Sequence, residues 1–132
     1  MKKLLLDTHI WLWSLLEPRH LSRRVVSALE DDANELWLSP ISIWELSMLV
    51  QKGHVSLSES VGDWVREAMK RAALREAPLT AEVALETMRV RLPHRDPADA
   101  FLVATARVFG LTLVTADKRL IGSKMVAVLP GR

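Results

Sequence analysis

The sequence contains no cysteine. That absence excludes disulfide bonds, thiolate zinc sites and a cysteine nucleophile, and it fits the reducing environment of the cytoplasm. The chain also has neither a glycine-rich phosphate-binding loop nor a G-x-S-x-G nucleophile elbow. The usual signatures of P-loop and α/β-hydrolase chemistry are therefore missing.

Long apolar runs are absent as well. No stretch is long enough to span a membrane. The apolar N-terminal segment is interrupted by Asp7 and His9, and no small-residue cleavage site follows it, so it differs from a secretory signal peptide. We expect a cytoplasmic protein that does not associate with a membrane.

The composition is typical of a globular protein. The 132 residues are 49% hydrophobic and 26% charged, with a formal net charge of +2, and they predict one domain over residues 1–132 with a substantial core. We interpret the five tryptophans as core or interface residues. Trp11 and Trp13, on a predicted helix beside Asp7, are candidates for a partner or dimer surface.

Short apolar runs alternate with helical patterns along the chain. Strands are predicted over residues 3–6, 35–38, 76–79, 111–114 and 125–129. Helices are predicted from about residue 8 to 16, 22 to 30, 40 to 52, 60 to 73, 80 to 90, 97 to 109 and 118 to 121. This alternation favours the α/β class: a single three-layer α/β/α domain with a central, mostly parallel sheet.

Four acidic residues occupy positions that a parallel sheet brings to one edge. Asp7 and Asp117 follow predicted strands, and Asp99 opens a helix that is apolar on nearly every side. Glu45 lies on the apolar face of its own helix, where a carboxylate is costly unless it is paired or bound to a metal. The carboxyl ends of parallel strands and the starts of the following helices meet at the same edge, so we expect these carboxylates to converge.

Converging carboxylates repel one another, and a bound divalent cation relieves that repulsion. Oxygen ligands without cysteine favour Mg²⁺ or Mn²⁺, either of which assists water in attacking a phosphodiester. The histidines lack the spacing of zinc ligands. His9 and His94, each near an acid, are the two with a candidate role.

Local structure offers a competing explanation for each acid. Asp96 is a good N-cap, Asp99 suits the positive end of a helix dipole, and Asp117 suits a turn. Ser42 and Glu45 have the spacing of a capping box, although an earlier Ser-Pro pair already signals a helix start.

Four segments, in this order and spacing, resemble the PIN domain, and more narrowly the VapC-type ribonuclease toxins of bacterial toxin–antitoxin pairs. They are LLLDTHIWLW, SPISIWEL, HRDPADAFLVATA and LTLVTADKRL. The resemblance runs from Leu4 to Leu129. It implies Mg²⁺- or Mn²⁺-dependent endonucleolytic cleavage of RNA, a homodimer, and neutralisation by a small antitoxin encoded nearby.

The resemblance also implies roles for individual residues. Asp7, Glu45, Asp99 and Asp117 would form the catalytic, metal-binding acid cluster. Asp96 would be an accessory acid, and Thr8 and Thr115 would supply hydroxyls beside the metal. Many relatives have arginine at the position of Ala100 and phenylalanine at that of Ala98, and these departures concern substrate contacts and rate rather than the cluster.

Basic residues near the predicted edge are candidates for RNA contacts. Arg95, Lys118 and Arg119 have the charge to bind a phosphate backbone, although each taken alone also fits a solvated surface.

Two further functions compete with a ribonuclease toxin. One is a non-catalytic PIN-like module that binds RNA or an antitoxin. The other, a phospho-acceptor regulatory domain, is disfavoured because Asp7 is not part of an acidic pair.

Overall fold

Five strands and seven α-helices alternate along residues 1–131, which are the residues that this computed structural model describes. The strands are β1 (Lys3–Leu6), β2 (Glu35–Leu38), β3 (Arg75–Glu76), β4 (Thr112–Thr115) and β5 (Val128–Pro130). The α-helices are α1 (Thr8–Leu16), α2 (Arg23–Glu30), α3 (Pro40–Gln51), α4 (Val61–Arg71), α5 (Ala81–Glu86), α6 (Pro97–Phe109) and α7 (Lys118–Ile121). Short 3-10 helices span Pro18–His20 and Thr87–Arg89. Within the described residues, no helix has the length and apolar character needed to cross a bilayer.

The strands form one sheet in the order β3-β2-β1-β4-β5, and every pair is parallel. The chain first builds β1 to β3 in one direction and then returns to place β4 on the other side of β1. The boundary between β1 and β4 is therefore the switch point of the topology, where open α/β sheets bind ligands. The Asp7 amide donates to the Val114 carbonyl at 2.9 Å, which continues the pairing to the carboxyl end of β1.

Alternate residues of the central strand enter different cores. Leu4 and Leu6 pack with residues of α1 to α4, whereas Leu5 packs with residues of α5 to α7. The side-chain period of two in a strand produces this division. The predicted three-layer α/β/α architecture is confirmed, and the sheet is wholly rather than mostly parallel.

Two strands differ from their predicted limits by more than one residue. The third was predicted at residues 76–79 but lies at Arg75–Glu76, because Pro78 has no amide proton with which to extend the pairing. The fifth was predicted to start at residue 125 but begins at Val128. Lys124 has a φ of 58°, which keeps the chain in a turn beyond the predicted start.

The helix predicted over residues 80–90 ends well before its predicted limit. The pattern over residues 80–90 forms α5 and then a 3-10 segment. The Thr87 hydroxyl donates to the Ala84 carbonyl at 2.5 Å, a local hydrogen bond that competes with the regular helical pattern.

Trp11 is a core residue and not part of a partner surface, contrary to the prediction. Its side chain is 1% exposed and packs edge-on against Trp64, with ring centroids 5.6 Å apart. Trp11 belongs to the apolar core that α1 to α4 form on one face of the sheet, so it has almost no contact with solvent. Trp13, two residues further along α1, is half-buried.

We predict that Leu113→Ala lowers the free energy of unfolding by about 2–5 kcal/mol, because it leaves a cavity in the centre of the sheet. Leu113 is fully buried on β4. Leu85→Ala is the matched control, since Leu85 is 61% exposed and its truncation should cost less than about 0.5 kcal/mol. Urea unfolding measures both. Equal losses in the two variants would contradict this placement of the core.

Candidate active site

A cleft of about 350 Å³ opens at the carboxyl edge of the sheet, beside the switch point. Its lining includes five carboxylates and one arginine among the described residues. The lining residues are Asp7, His9, Trp13, Glu45, Asp96, Asp99, Ala116, Asp117 and Arg119. The structure thus brings together the four predicted acids and the predicted accessory acid.

Each acid reaches the cleft from a different element. Asp7 ends β1 at the start of α1, and its side chain makes no capping hydrogen bond there. Asp117 follows β4 and caps α7. Asp99 lies in the first turn of α6, and Glu45 lies in the middle of α3. The cleft is therefore assembled only when α3 and α6 pack beside the ends of β1 and β4.

Asp7 is one of the two buried acids among the four, and 8% of its surface is exposed. The Thr115 hydroxyl, from the end of β4, donates to Asp7 Oδ2 at 2.6 Å. Burial raises the pKa of Asp7 above its ordinary value, and the hydrogen bond from Thr115 opposes that rise only in part. Thr115 fixes the orientation of this carboxylate.

Glu45 is held by a buried pair of hydroxyls. The Thr8 hydroxyl donates to Glu45 Oε1 at 2.6 Å and shares a hydrogen bond with Ser42 Oγ at 2.8 Å. Burial again raises the pKa of Glu45. The alternative in which Ser42 and Glu45 form a capping box is wrong, because the Ser39 hydroxyl caps α3 by accepting from the Ile41 amide.

Asp99 is bound by His94, which lies in the loop before α6. The His94 Nε2 and Asp99 Oδ2 atoms are 2.7 Å apart, and each side chain is only 12% exposed. Burial raises the pKa of Asp99, and the hydrogen bond from His94 lowers it. Asp96 does cap α6, as the local explanation predicts, by accepting from the Ala98 amide at 3.0 Å, yet it also lines the cleft.

Asp117 differs from the other acids because an arginine already binds it. Arg119 Nε lies 3.1 Å from Asp117 Oδ1, and its NH2 lies 2.9 Å from Oδ2. This two-point contact lowers the pKa of Asp117. The carboxylate is ionised and neutralised by the chain itself, so a cation would have to share it with Arg119.

The donor set fits a hard divalent cation. Atoms of His94, Asp99 and Asp117 that can bind a metal lie within 4.8 Å of one another. Carboxylate oxygens are the ligands that Mg²⁺ and Mn²⁺ prefer, and no sulfur competes. Burial raises the pKa of Asp7, Glu45 and Asp99, and neighbouring acids add to the rise. A bound cation would stabilise the ionised forms of these carboxylates.

The predicted basic residues are separated by the structure. Arg119 lines the cleft, whereas Lys118 is exposed outside it and Arg95 lines a neighbouring cavity.

The sequence pattern indicated no role for Ser42 beyond capping and no place for Trp13 in the cleft. The signal for Ser42 was its spacing of three residues before Glu45, which places both on one side of α3.

An all-parallel sheet with an acidic cleft at its switch point is the arrangement of α/β proteins that bind ligands at the carboxyl ends of their strands. More narrowly, the chain belongs to the PIN domain family, whose profile matches residues 4–122. The resemblance seen in the sequence is confirmed.

Individual relatives agree with this assignment. The chain is 36% identical over 123 residues to Ribonuclease VapC22 of Mycobacterium tuberculosis, with 91% of each protein covered. It is similar in structure to VapBC2 from Rickettsia felis bound to a promoter DNA fragment, with a TM-score of 0.75, 17% identity, and 98% and 99% of the two chains covered. FitAcB from Neisseria gonorrhoeae is similar with a TM-score of 0.64, 26% identity and 96% of each chain covered.

We predict that Asp99→Asn is more stable than the wild-type protein at neutral pH in EDTA. Burial raises the folded-state pKa of Asp99 above that of the unfolded chain, so ionisation above the folded-state pKa destabilises the folded protein. As the pH falls through the folded-state pKa and on towards the unfolded-state pKa, Asp99 becomes protonated. The destabilising penalty of its charge is then progressively lost. The advantage of the variant should therefore shrink as pH falls, as thermal unfolding between neutral and acidic pH can measure. A difference that is constant with pH would contradict the electrostatic explanation.

Proposed function

We propose that this protein is the ribonuclease toxin of a toxin–antitoxin pair and that its acidic cleft hydrolyses RNA phosphodiester bonds with Mg²⁺ or Mn²⁺. The observation that carries the proposal is the convergence of five carboxylates in one cleft at the switch point of a PIN fold. The ribonuclease named among its relatives supports RNA as the substrate.

The cation would be held by Asp7, Glu45, Asp99 and Asp117, with Asp96 as an accessory acid. When bound, it would orient water and neutralise charge on the leaving oxygen. The protein's own contribution is to hold the carboxylates in position. The hydroxyl of Thr8 donates a hydrogen bond to Glu45, and the hydroxyl of Thr115 donates one to Asp7. These hydroxyls would therefore act on the cation through the carboxylates that they orient.

Arg119, which lines the cleft, is also a candidate for contact with RNA. Its guanidinium lies against the carboxylate of Asp117. A cation at Asp117 would weaken that ion pair, and Arg119 would then be available to an RNA phosphate. Lys118 and Arg95 flank the cleft and would contact the backbone further along the strand.

The proposed partners follow from the relatives. Solved relatives include toxin–antitoxin complexes, one of which is described as a toxin–antitoxin complex from Klebsiella pneumoniae. We infer a cognate antitoxin that neutralises this chain, a homodimeric toxin and a cytoplasmic site of action, where the RNA substrate is found. The alternative is a PIN-like module that binds RNA or an antitoxin without cleaving.

Asp7→Asn and Asp99→Asn should each reduce RNA cleavage at least about 100-fold, because loss of a residue that only supports a metal ligand already costs about 10- to 100-fold. The measurement uses purified, antitoxin-free protein with Mg²⁺ or Mn²⁺ on structured and single-stranded RNA, and EDTA should abolish the cleavage. Asp32→Asn is the charge-matched control, since Asp32 is an exposed turn residue remote from the cleft. Cleavage that survives EDTA would contradict the metal-dependent proposal. Tight RNA binding without cleavage would favour the binding module.

Expression of the chain alone in bacterial cells should arrest growth, and the arrest should require Asp99. The comparison is between the wild-type chain, Asp99→Asn and Asp32→Asn at matched protein levels. Growth curves measure this toxicity whichever cellular RNA is the target. Harmless expression of the folded wild-type chain, or equal arrest by Asp99→Asn, would contradict the proposed toxin activity.

A further inference from the structure

A second cavity adjoins the acidic cleft and is not used by the proposed chemistry. It has a volume of about 330 Å³, within the range of small-molecule sites. Asp96 lines both cavities, so the two are neighbours in the surface. A ligand in the second cavity would lie directly beside the cleft that contains the four acids.

The cavity combines an apolar lining with positive charge. Val90, Leu92, Pro97 and Ala100 supply apolar surface. Ala100 is a small residue on α6, and its side chain leaves the space beside it open. An apolar surface of this kind suits the face of a nucleobase better than it suits a water-filled ion site.

Two exposed arginines line the same cavity. Arg91 is held in place, because its NH1 donates to the carbonyls of Met88 and Val90 at 2.6 and 3.3 Å. Arg95 has no hydrogen bond or ion pair to any residue in 1–131, and it is therefore available to a phosphate. Arginine is well suited to that task because its planar donors match phosphate oxygens.

His94 forms part of the wall between the cavity and the cleft. Its Nε2 contacts Asp99, while its Nδ1 is buried and lacks a hydrogen-bond partner in the described chain. In a neutral imidazole whose Nε2 proton is donated to the carboxylate, Nδ1 is an acceptor. Buried polar atoms are nearly always satisfied, so the wall of the cavity contains an acceptor for which the described residues supply no donor.

We propose that this cavity binds a nucleotide of the RNA strand next to the phosphodiester that is cleaved. The base lies on the apolar surface beside Ala100, and its phosphate binds Arg95. The inference rests on the proposed function, because it takes RNA as the substrate of the adjoining cleft. The nucleotide subsite determines which phosphodiester bond of the RNA strand lies in the acidic cleft.

The test measures binding of adenosine 5′-monophosphate by NMR titration in EDTA, so that no cation recruits the phosphate to the acids. Ala100→Leu fills the cavity, and Arg95→Ala removes the phosphate ligand. Each should weaken binding roughly fivefold or more, the loss expected for one base or phosphate contact. Ribose 5-phosphate, which lacks the base, should bind the wild-type protein more weakly than the nucleotide and should be insensitive to Ala100→Leu.

Two control variants match these changes elsewhere on the surface. Ala84→Leu adds the same bulk to an exposed position of α5, and Arg66→Ala removes an arginine that is 80% exposed. Both should bind the nucleotide as the wild-type protein does. Wild-type protein that does not bind the nucleotide, or binding unchanged in both Ala100→Leu and Arg95→Ala, would overturn the subsite.

Cleavage kinetics distinguish failure of the subsite from failure of the proposed function. If the subsite is correct, Ala100→Leu raises KM for RNA while the acids remain intact. Wild-type protein that cleaves RNA with a KM unaffected by Ala100→Leu would overturn the subsite alone. Wild-type protein that cleaves no RNA would overturn the proposed function and, with it, the assignment of the bound nucleotide to a substrate strand.

Discussion

The burial and mutual repulsion of carboxylates that the fold brings together form the constraint on which the rest of this structure depends. Burial raises the pKa of Asp7, Glu45 and Asp99, and nearby acids add to the rise in each. A fold selected only for stability would not place ionisable groups where their charge is opposed by desolvation. Their convergence at one sheet edge is therefore better explained by a ligand of opposite charge than by local capping.

The protein limits this repulsion with side-chain hydrogen bonds and one arginine. The hydroxyls of Thr115 and Thr8 donate to Asp7 and Glu45, and His94 shares a hydrogen bond with Asp99, so each contact fixes the direction of one carboxylate. Asp117 is neutralised by Arg119. The result is a set of oriented anions beside one cationic group, an arrangement that suits a divalent cation and a phosphate together.

Much of this arrangement could be predicted from the sequence, because buried strands and capped helices leave strong local patterns. The central strands and the starts of α2, α3 and α6 lie where apolar runs and Ser or Asp caps predict them. The limits of the edge strand β3 could not be predicted, since both its residues are exposed and carry no alternation of apolar side chains. Trp11 was misplaced because its helix is apolar on several sides, and composition alone does not tell which side faces the sheet.

Specific contacts between side chains were beyond prediction for a different reason. The hydroxyl network of Thr8, Ser42 and Glu45 joins two helices, and its formation depends on how α1 and α3 pack. The pairing of Asp117 with Arg119 depends on a side-chain conformation that sequence spacing does not determine. Sequence therefore indicated which acids converge, whereas the structure was needed to show how each is held.

The most direct measurement is a calorimetric titration of the metal-free protein with Mn²⁺. We predict saturable binding to the wild-type protein and to Asp32→Asn, and a loss of at least about tenfold in affinity for Asp99→Asn, as expected when a metal-site residue is removed. Binding of equal strength in Asp99→Asn, or no binding to the folded wild-type protein, would contradict the claim that these carboxylates form a cation site.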